Sequence, residues 1–450
     1  MLTKQLQKME VTKGFIRIPN RVKTELIGND IPPFYTKLNG LPARIDKYNR
    51  LWSGYLRNRF ENKSVVTLSK NKEGFQITSQ TQKQELDQPE KPQSISINFP
   101  APNREGIFEV ILNQNNASKK TLRVCSLFAG CGGLDLGFEQ AQHHKFKFEV
   151  IWANDFDKSA CETYRKNFPD SQIIEGDIWN YDLGKMPDCE VILGGFPCQD
   201  FSVLRGGSKR NGVKTKRGLL YTKFVEAVKI KTPLFFVAEN VKGLISANNG
   251  TAIKKITSDF SELGYHVIPP EIINFADYGV PQRRERVFIV GIRKDLDGAF
   301  VFPKPTHCGK HVSSEEALNG VESVPYNNEH QKMKKRTIAM LEKIPPGGNY
   351  KNIPELARNN WMSLIYKRLN PKEPSPTIVA NGGGGTWGYH YKEPRSLTNR
   401  ERARIQTFPD NFVFEGTITE IRRQIGNAVP PKGAKVVAEA LLKHLSTRID

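Results

Sequence analysis

Cys198 lies in the run GGFPCQDFS, just after the apolar stretch 191–193, from which it is separated by Gly194, Gly195, Phe196 and Pro197. A thiol at the carboxyl end of a strand stands where open α/β sheets place their ligands, and a thiolate there can act as a nucleophile. A purely structural cysteine belongs within the apolar run instead. FFVAENVKGL puts Glu239 and Asn240 at the end of another strand-like run. A carboxyl partly withdrawn from water there can hold a proton or donate a hydrogen bond; the competing reading is a helix cap. In PQRRERVFIVG, strand alternation puts Arg284 and Arg286 on one face, able to reach one site.

Three further features suit a ligand. SLFAGCGGLDLGFE carries Gly130, Gly132 and Gly133 between a strand and a helix, allowing close backbone approach and offering free N–H groups. It matches neither the dinucleotide fingerprint nor a phosphate-binding loop, so a plain strand–helix connection stays open. Asp155, 25 residues beyond Gly130 in WANDFD, can accept two ribose hydroxyls, and Asp177 in EGDI can accept from an adenine amino group. Singly, each acid also reads as a cap or a solvated loop residue. Together with the glycine turn they favour a cofactor containing a nucleoside. QIGNAVPP puts Asn427 in what reads as a tight turn before the last helix.

The elements that would carry these residues follow from hydrophobic patterning. Residues 123–128, 149–153, 191–193, 234–238 and 287–291 read as short buried strands, and 134–142, 157–167 and 219–229 as helices between them. That alternation predicts a doubly wound α/β sheet. It fails after residue 296, where Pro, Gly and polar positions, a basic cluster at 332–336 and the run NGGGG at 381–385 indicate an irregular second region. Helical pattern returns at 398–406 and 435–445. Residues 1–85 are basic and spotted with aromatics, and a polar, Pro-rich linker follows. The expected organisation is an N-terminal extension (1–85), a linker (86–120), a catalytic part (121–296), an inserted region (297–394) and a C-terminal return to the catalytic part (395–450).

The chain has 450 residues and a formal net charge of +20, which selects an anionic partner, nucleic acid before an acidic membrane surface. No run is apolar enough for a membrane span and the N-terminus has no signal core, so a cytoplasmic protein is expected. The six cysteines form no CxxC pair and no metal-ligand cluster. They read as reduced thiols, and no metal is expected. Six cations among the glycines of residues 205–218 suit either a lid over phosphates or a solvated loop.

Taken in order, the blocks SLFAGCGGLDLGFE, ANDFD, EGDI, GGFPCQDFS, ENVKGL, PQRRERVFIVG, LTNRERARIQTFPDNF and QIGNAVPP resemble the DNA (cytosine-5)-methyltransferase family of prokaryotic restriction–modification systems. The resemblance covers about residues 121–296 and 395–450. It implies a Rossmann-like, S-adenosylmethionine-dependent fold with a target-recognition domain at 297–394. It implies that Phe128, Gly130, Gly132, Asp155, Asp177, Ile178, Pro197, Asn427 and Ala428 bind S-adenosylmethionine. Cys198 would be the nucleophile, Glu239 would hold the cytosine ring, and Arg284 and Arg286 would hold the nucleophile loop and the flipped nucleotide. Gln199, Ser202, Arg217, Asn240 and Thr377 would serve the substrate side, with Asn240 buttressing the loop. The expected partner is double-stranded DNA, bound by a monomer, alongside a cognate restriction endonuclease. The same motifs serve cytosine methylation in RNA; the long basic insert favours duplex DNA.

Overall fold

A computed structural model describes residues 119–197, 220–296, 300–380 and 388–449, together with the backbone of seven strands within residues 7–79. The chain divides into two units, Met1–Asn98 and Phe99–Asp450.

In the first unit the strands are β1 (Gln7–Thr12), β2 (Phe15–Arg17), β3 (Phe34–Leu38), β4 (Leu41–Ile45), β5 (Arg50–Ser53), β6 (Val65–Asn71) and β7 (Gly74–Ser79). They close into a barrel in the order β1-β2-β5-β4-β3-β7-β6. Closure leaves no unpaired edge in a segment whose strands are too short to form a stable open sheet.

The second unit is built on an eight-stranded sheet. Its strands are β8 (Lys120–Leu127), β9 (Phe146–Asp155), β10 (Gln172–Glu175), β11 (Val191–Gly194), β12 (Phe235–Val241), β13 (Tyr265–Val267), β14 (Glu271–Asn274) and β15 (Glu285–Arg293). The order is β10-β9-β8-β11-β12-β15-β13, with β14 also on β15; β10 through β12 run parallel and β15 runs against its neighbours. This is the doubly wound α/β sheet expected from the alternation of apolar runs and amphipathic segments. The direction of winding reverses between β8 and β11, which opens a crevice at their carboxyl ends.

Both faces are covered, and strand alternation decides which residue meets which layer. Val191 and Leu193 of β11, with Phe235 and Val237 of β12, pack with Phe138 of α1 (Gly133–Glu139) and with Val437, Leu441 and Leu445 of the C-terminal helix. Ile192, Phe236 and Ala238 face the other way, onto Phe224 of α3 (Leu220–Lys231) and Phe260 of α4 (Thr251–Glu262). A third cluster joins Tyr164 and Phe168 of α2 (Lys158–Asn167) to Phe408, Phe412 and Phe414, and to Ile421 and Ile425 near the C-terminus.

Residues 300–397 hold short elements, the longest being α5 (Lys335–Glu342), around Leu341, Ile344, Ile353 and Tyr389. Here one buried side chain stands in for regular pairing. The guanidinium of Arg368 donates to the carbonyls of Leu341, Ile344, His390 and Tyr391. After this region come α6 (Asn399–Ile405), α7 (Ile418–Asn427) and α8 (Pro431–Ile449). The turn expected around Asn427 is instead the last residue of α7, whose start is secured by a capping box between Thr417 and Glu420. The polar sequence ITEIRRQIGN hides that helix because only one narrow stripe of it is apolar. Among the described residues, no helix is long and apolar enough to cross a membrane.

Candidate active site

At the end of β8 the chain turns through Phe128, which has φ 58°, and Gly130, which has φ 57°. Positive φ is costly for a residue with a Cβ, so Phe128 is held there by its surroundings, while Gly130 takes the conformation without strain. No atom lies within 4 Å of where a Gly130 Cβ would be, so the turn faces open space. Asp155, at the end of β9, fixes this turn. Its Oδ2 accepts from the Gly130 N–H at 2.8 Å and its Oδ1 from the Asp157 N–H at 2.9 Å. Burial raises the Asp155 carboxyl above its ordinary range, and these two N–H groups oppose the shift. The acid is therefore both a tie for the glycine turn and a charge held at the crevice.

Asp177 follows β10 and caps the short turn Ile178–Asn180, accepting from the Trp179 N–H at 3.1 Å. Ile178 beneath it is buried. Phe156, between Asp155 and Asp157, is 70% exposed, whereas most other aromatics of this unit are buried. Sequence reasoning passed over it. The available signal was an aromatic directly after the acid that ends β9.

On the other side of the crevice, β11 leads into Gly195, Phe196 and Pro197. Cys198, Gln199, Ser202 and Arg217 lie outside the described residues. What precedes Cys198 is tightly held. Asn240 Nδ2 donates to the Phe196 carbonyl at 2.8 Å, with both residues buried. The Glu239 carboxylate lies over Gly195, where an added Cβ would come within 3.3 Å of Oε2. Arg286 pairs with Glu239, Nε to Oε1, at 2.9 Å. Burial raises the Glu239 carboxyl, while Arg286 and then Arg284 pull it partly back. The result is a carboxyl that can hold a proton at a site where two cations stabilise its ionised form.

Arg284 is placed differently from Arg286. Its guanidinium is buried and donates to the carbonyls of Ile378, Gly426 and Ala428 at 3.1, 2.9 and 3.0 Å. Burial lowers it to about 9. It ties the start of β15 to residues 378 and 426–428. Thr377 joins the same seam, its hydroxyl donating to the Arg283 carbonyl at 2.8 Å. Asn427 is exposed at the end of α7, and Ala428 follows as its cap. Close approach is built in beside them, since a Cβ on Gly426 would lie 2.3 Å from the Ala380 nitrogen. Gln282 and Gln406, both buried in this seam, were not picked out in the sequence because a lone glutamine carries no pattern.

The four buried cysteines do not compete for a nucleophile's role. Cys125, Cys131, Cys161 and Cys189 are buried. Burial pushes the Cys161 thiol up to about 12 and Cys131 higher still, so both stay protonated near neutrality. Cys308 is exposed. Among the described residues no group of His, Cys, Asp and Glu is arranged to hold a metal ion.

Comparison with known proteins identifies the family. The family model for C-5 cytosine-specific DNA methylases covers residues 122–443. Type II methyltransferase M.NgoFVII of Neisseria gonorrhoeae is 49% identical over 348 residues, spanning 75% of this chain and 90% of its own length. Type II methyltransferase M.BbvI of Brevibacillus brevis is 45% identical, spanning 70% of this chain and 90% of its own. A prophage-encoded Escherichia coli protein, described as a DNA modification methyltransferase, aligns in three dimensions with a TM-score of 0.56 at 27% identity, covering 72% of this chain and 99% of its own. The chain belongs to the C-5 cytosine-specific DNA methylase family, and its activity is that of a DNA (cytosine-5)-methyltransferase.

Proposed function

We propose that the enzyme rotates a target cytosine out of duplex DNA and methylates it through a covalent adduct between Cys198 and C6. The observation that carries this reading is the arrangement directly before Cys198: Asn240 on the Phe196 carbonyl, and Glu239, paired with Arg286, over Gly195. Cytosine C5 is a weak nucleophile. Addition of the Cys198 thiolate forms an S–C6 bond and moves the C5=C6 pair onto C5. Glu239 supplies a proton at N3 so that the ring does not carry the full negative charge. S-adenosylmethionine, when bound, supplies the methyl group that C5 takes up. A base then removes the C5 proton, the thiolate leaves as the C5=C6 bond re-forms, and N3 returns its proton to Glu239. None of this fits within stacked duplex, so the base must leave the stack at a cost of a few kcal/mol.

The described residues fit the cofactor. The open face of Gly130 admits a ligand against the backbone, Asp155 offers a buried carboxylate beside it, and the exposed Phe156 ring suits a flat purine. Asp177, Ile178, Pro197, Asn427 and Ala428 line the same ends of the sheet in this reading. Gln199, Ser202 and Arg217, with Thr377, would serve the DNA strand around the vacated position. The Type II names of the relatives support a role beside a partner restriction endonuclease. In this proposal the enzyme protects host DNA in the cytoplasm, a monomer acting on each site.

The test uses a duplex carrying 5-fluorocytosine, in which C5 has no proton to release and the adduct cannot resolve. The wild-type chain should form a complex that survives denaturing electrophoresis. Cys198→Ser should form none, and should transfer no tritiated methyl groups while still binding DNA. Methyl transfer by Cys198→Ser at a near-normal rate would overturn the mechanism.

A further inference from the structure

An aromatic ring as exposed as Phe156, at 70%, samples many positions unless the backbone that carries it is fixed. Here it is fixed on both sides. Before the ring, the Asp155 carboxylate holds the Gly130 and Asp157 N–H groups, and the Asp155 carbonyl accepts from the Gly176 N–H at 2.9 Å. After the ring, Asp157 divides its carboxylate between two tasks. Oδ1 accepts from the Ser159 hydroxyl at 2.8 Å and from the Ala160 N–H at 3.4 Å, which caps α2. Oδ2 accepts from Nη2 of Arg423 at 2.7 Å, a residue of α7 that lies 266 positions further along the chain.

The docking of α7 on α2 does not depend on this pair. Gln424, the next residue, is buried and makes that joint. Its Nε2 donates to Ser159 Oγ at 3.2 Å and to the Glu415 carbonyl at 2.9 Å, and its Oε1 accepts from the Thr163 hydroxyl at 2.7 Å. Ile421 and Ile425 pack in the same cluster as Tyr164 and Phe168. Glu420, one turn earlier on α7, also lies near Arg423, but its Oε2 accepts from the Thr417 N–H and hydroxyl at 2.8 Å each. The side chains of Arg423 and Asp157 keep 39% and 21% of their surface exposed, and an ion pair open to water adds little to stability. What the pair does set is spacing. It runs from α7 to the residue adjoining Phe156, and Asn427 stands one turn beyond Arg423 on the same side of that helix.

We propose that Arg423 is a positioning residue of the cofactor site. Through Asp157 it holds the Phe156 turn and the Asn427 end of α7 at the spacing that receives the nucleoside of S-adenosylmethionine. This rests on the cofactor reading given above. The part Arg423 plays is indirect: the turn is ordered in advance, so that ordering is not charged against binding.

The test uses the full chain. Calorimetry without DNA gives the Kd of S-adenosylmethionine, and steady-state methylation of unmethylated plasmid DNA gives kcat and both KM values. Arg423→Gln should raise the Kd and the cofactor KM about three- to tenfold, the cost of re-ordering one freed side chain on binding. Loss of binding that is equal in ground and transition states leaves turnover alone, so kcat at saturating cofactor and the KM for DNA should stay within about twofold. Tm should fall by no more than about 3 °C. Asp157→Asn keeps a good cap for α2 without the charge and should match Arg423→Gln. The double variant should bind no more weakly than either single one, because the two residues act as a unit. Additive single effects, an unchanged Kd in Arg423→Gln, a rise confined to the DNA KM, or a loss of kcat that follows a larger fall in Tm would each overturn the proposal. Phe156→Ala tests the cofactor reading separately and should raise the same Kd. If it does so while Arg423→Gln does not, the positioning role alone falls. If neither variant weakens binding, the cofactor reading falls with it.

Discussion

Gln282 and Gln406, 124 residues apart, meet side chain to side chain: Nε2 of Gln282 donates to Oε1 of Gln406 at 2.8 Å, and neither residue is exposed. Gln282 Oε1 also accepts from the Ile378 N–H at 2.9 Å, and Gln406 Nε2 donates to the Ile425 carbonyl at 2.6 Å. With Arg284 on the carbonyls of Ile378, Gly426 and Ala428, one buried polar knot joins three parts of the enzyme. These are the catalytic strand, the end of the inserted region and the turn after α7.

Gln406→Leu should cost about 2 kcal/mol or more, because it orphans the Gln282 amide and the Ile425 carbonyl in a buried site. Urea unfolding measures this. The double variant Gln282→Leu, Gln406→Leu should lose less than the sum of the two single variants, since it removes both halves of one hydrogen bond. Full additivity would mean that the two side chains are not coupled.

Glu239→Gln should lower single-turnover methylation about 10²-fold or more, as expected for loss of a positioned acid. In the proposed mechanism, proton donation by Glu239 would also set an alkaline limb in the rate, because the fraction protonated falls as pH rises through its raised value. The glutamine variant should lose that limb. Arg286→Ala removes the cation that holds the carboxyl down, so its residual activity should keep the limb and move it to higher pH.

Asp135, in the first turn of α1, is buried, accepts from the Ser126 hydroxyl at 2.7 Å, and is raised by burial to about 7. In the unfolded chain it ionises near the ordinary aspartate value. Between that value and about 7 the folded state binds the extra proton, so stability falls as pH rises through the window. Asp135→Asn should therefore raise Tm at pH 8 and change it little below pH 4. A uniform Tm shift at both pH values would contradict this origin.

Four of the parallel strands, β8, β9, β11 and β12, were legible in the sequence because each is an apolar run that brings Leu127, Asp155, Gly194 or Glu239 to the crevice, whereas β10, four residues long, was not. Glu239, Arg286 and Asn240 could be singled out from their place at strand ends. The common reach expected of Arg284 and Arg286 was only half visible, since alternation gives a face and not the carbonyls that wait 94 to 144 residues away. Gln282 and Gln406 were invisible for the same reason: their meaning lies in a contact between distant segments. The barrel strands were missed because three to seven residues each, interrupted by charges, carry too little periodicity.

The C-terminal helix α8 packs against α1 so closely that a Cβ on Gly137 would lie 2.4 Å from the Ala434 Cβ. The layer behind the glycine turn is thus completed by residues made some 300 positions later. In a growing polypeptide the packing behind the glycine turn is therefore incomplete until that helix has been made. Premature termination anywhere before it should yield a protein that is inert, rather than one that methylates without discrimination.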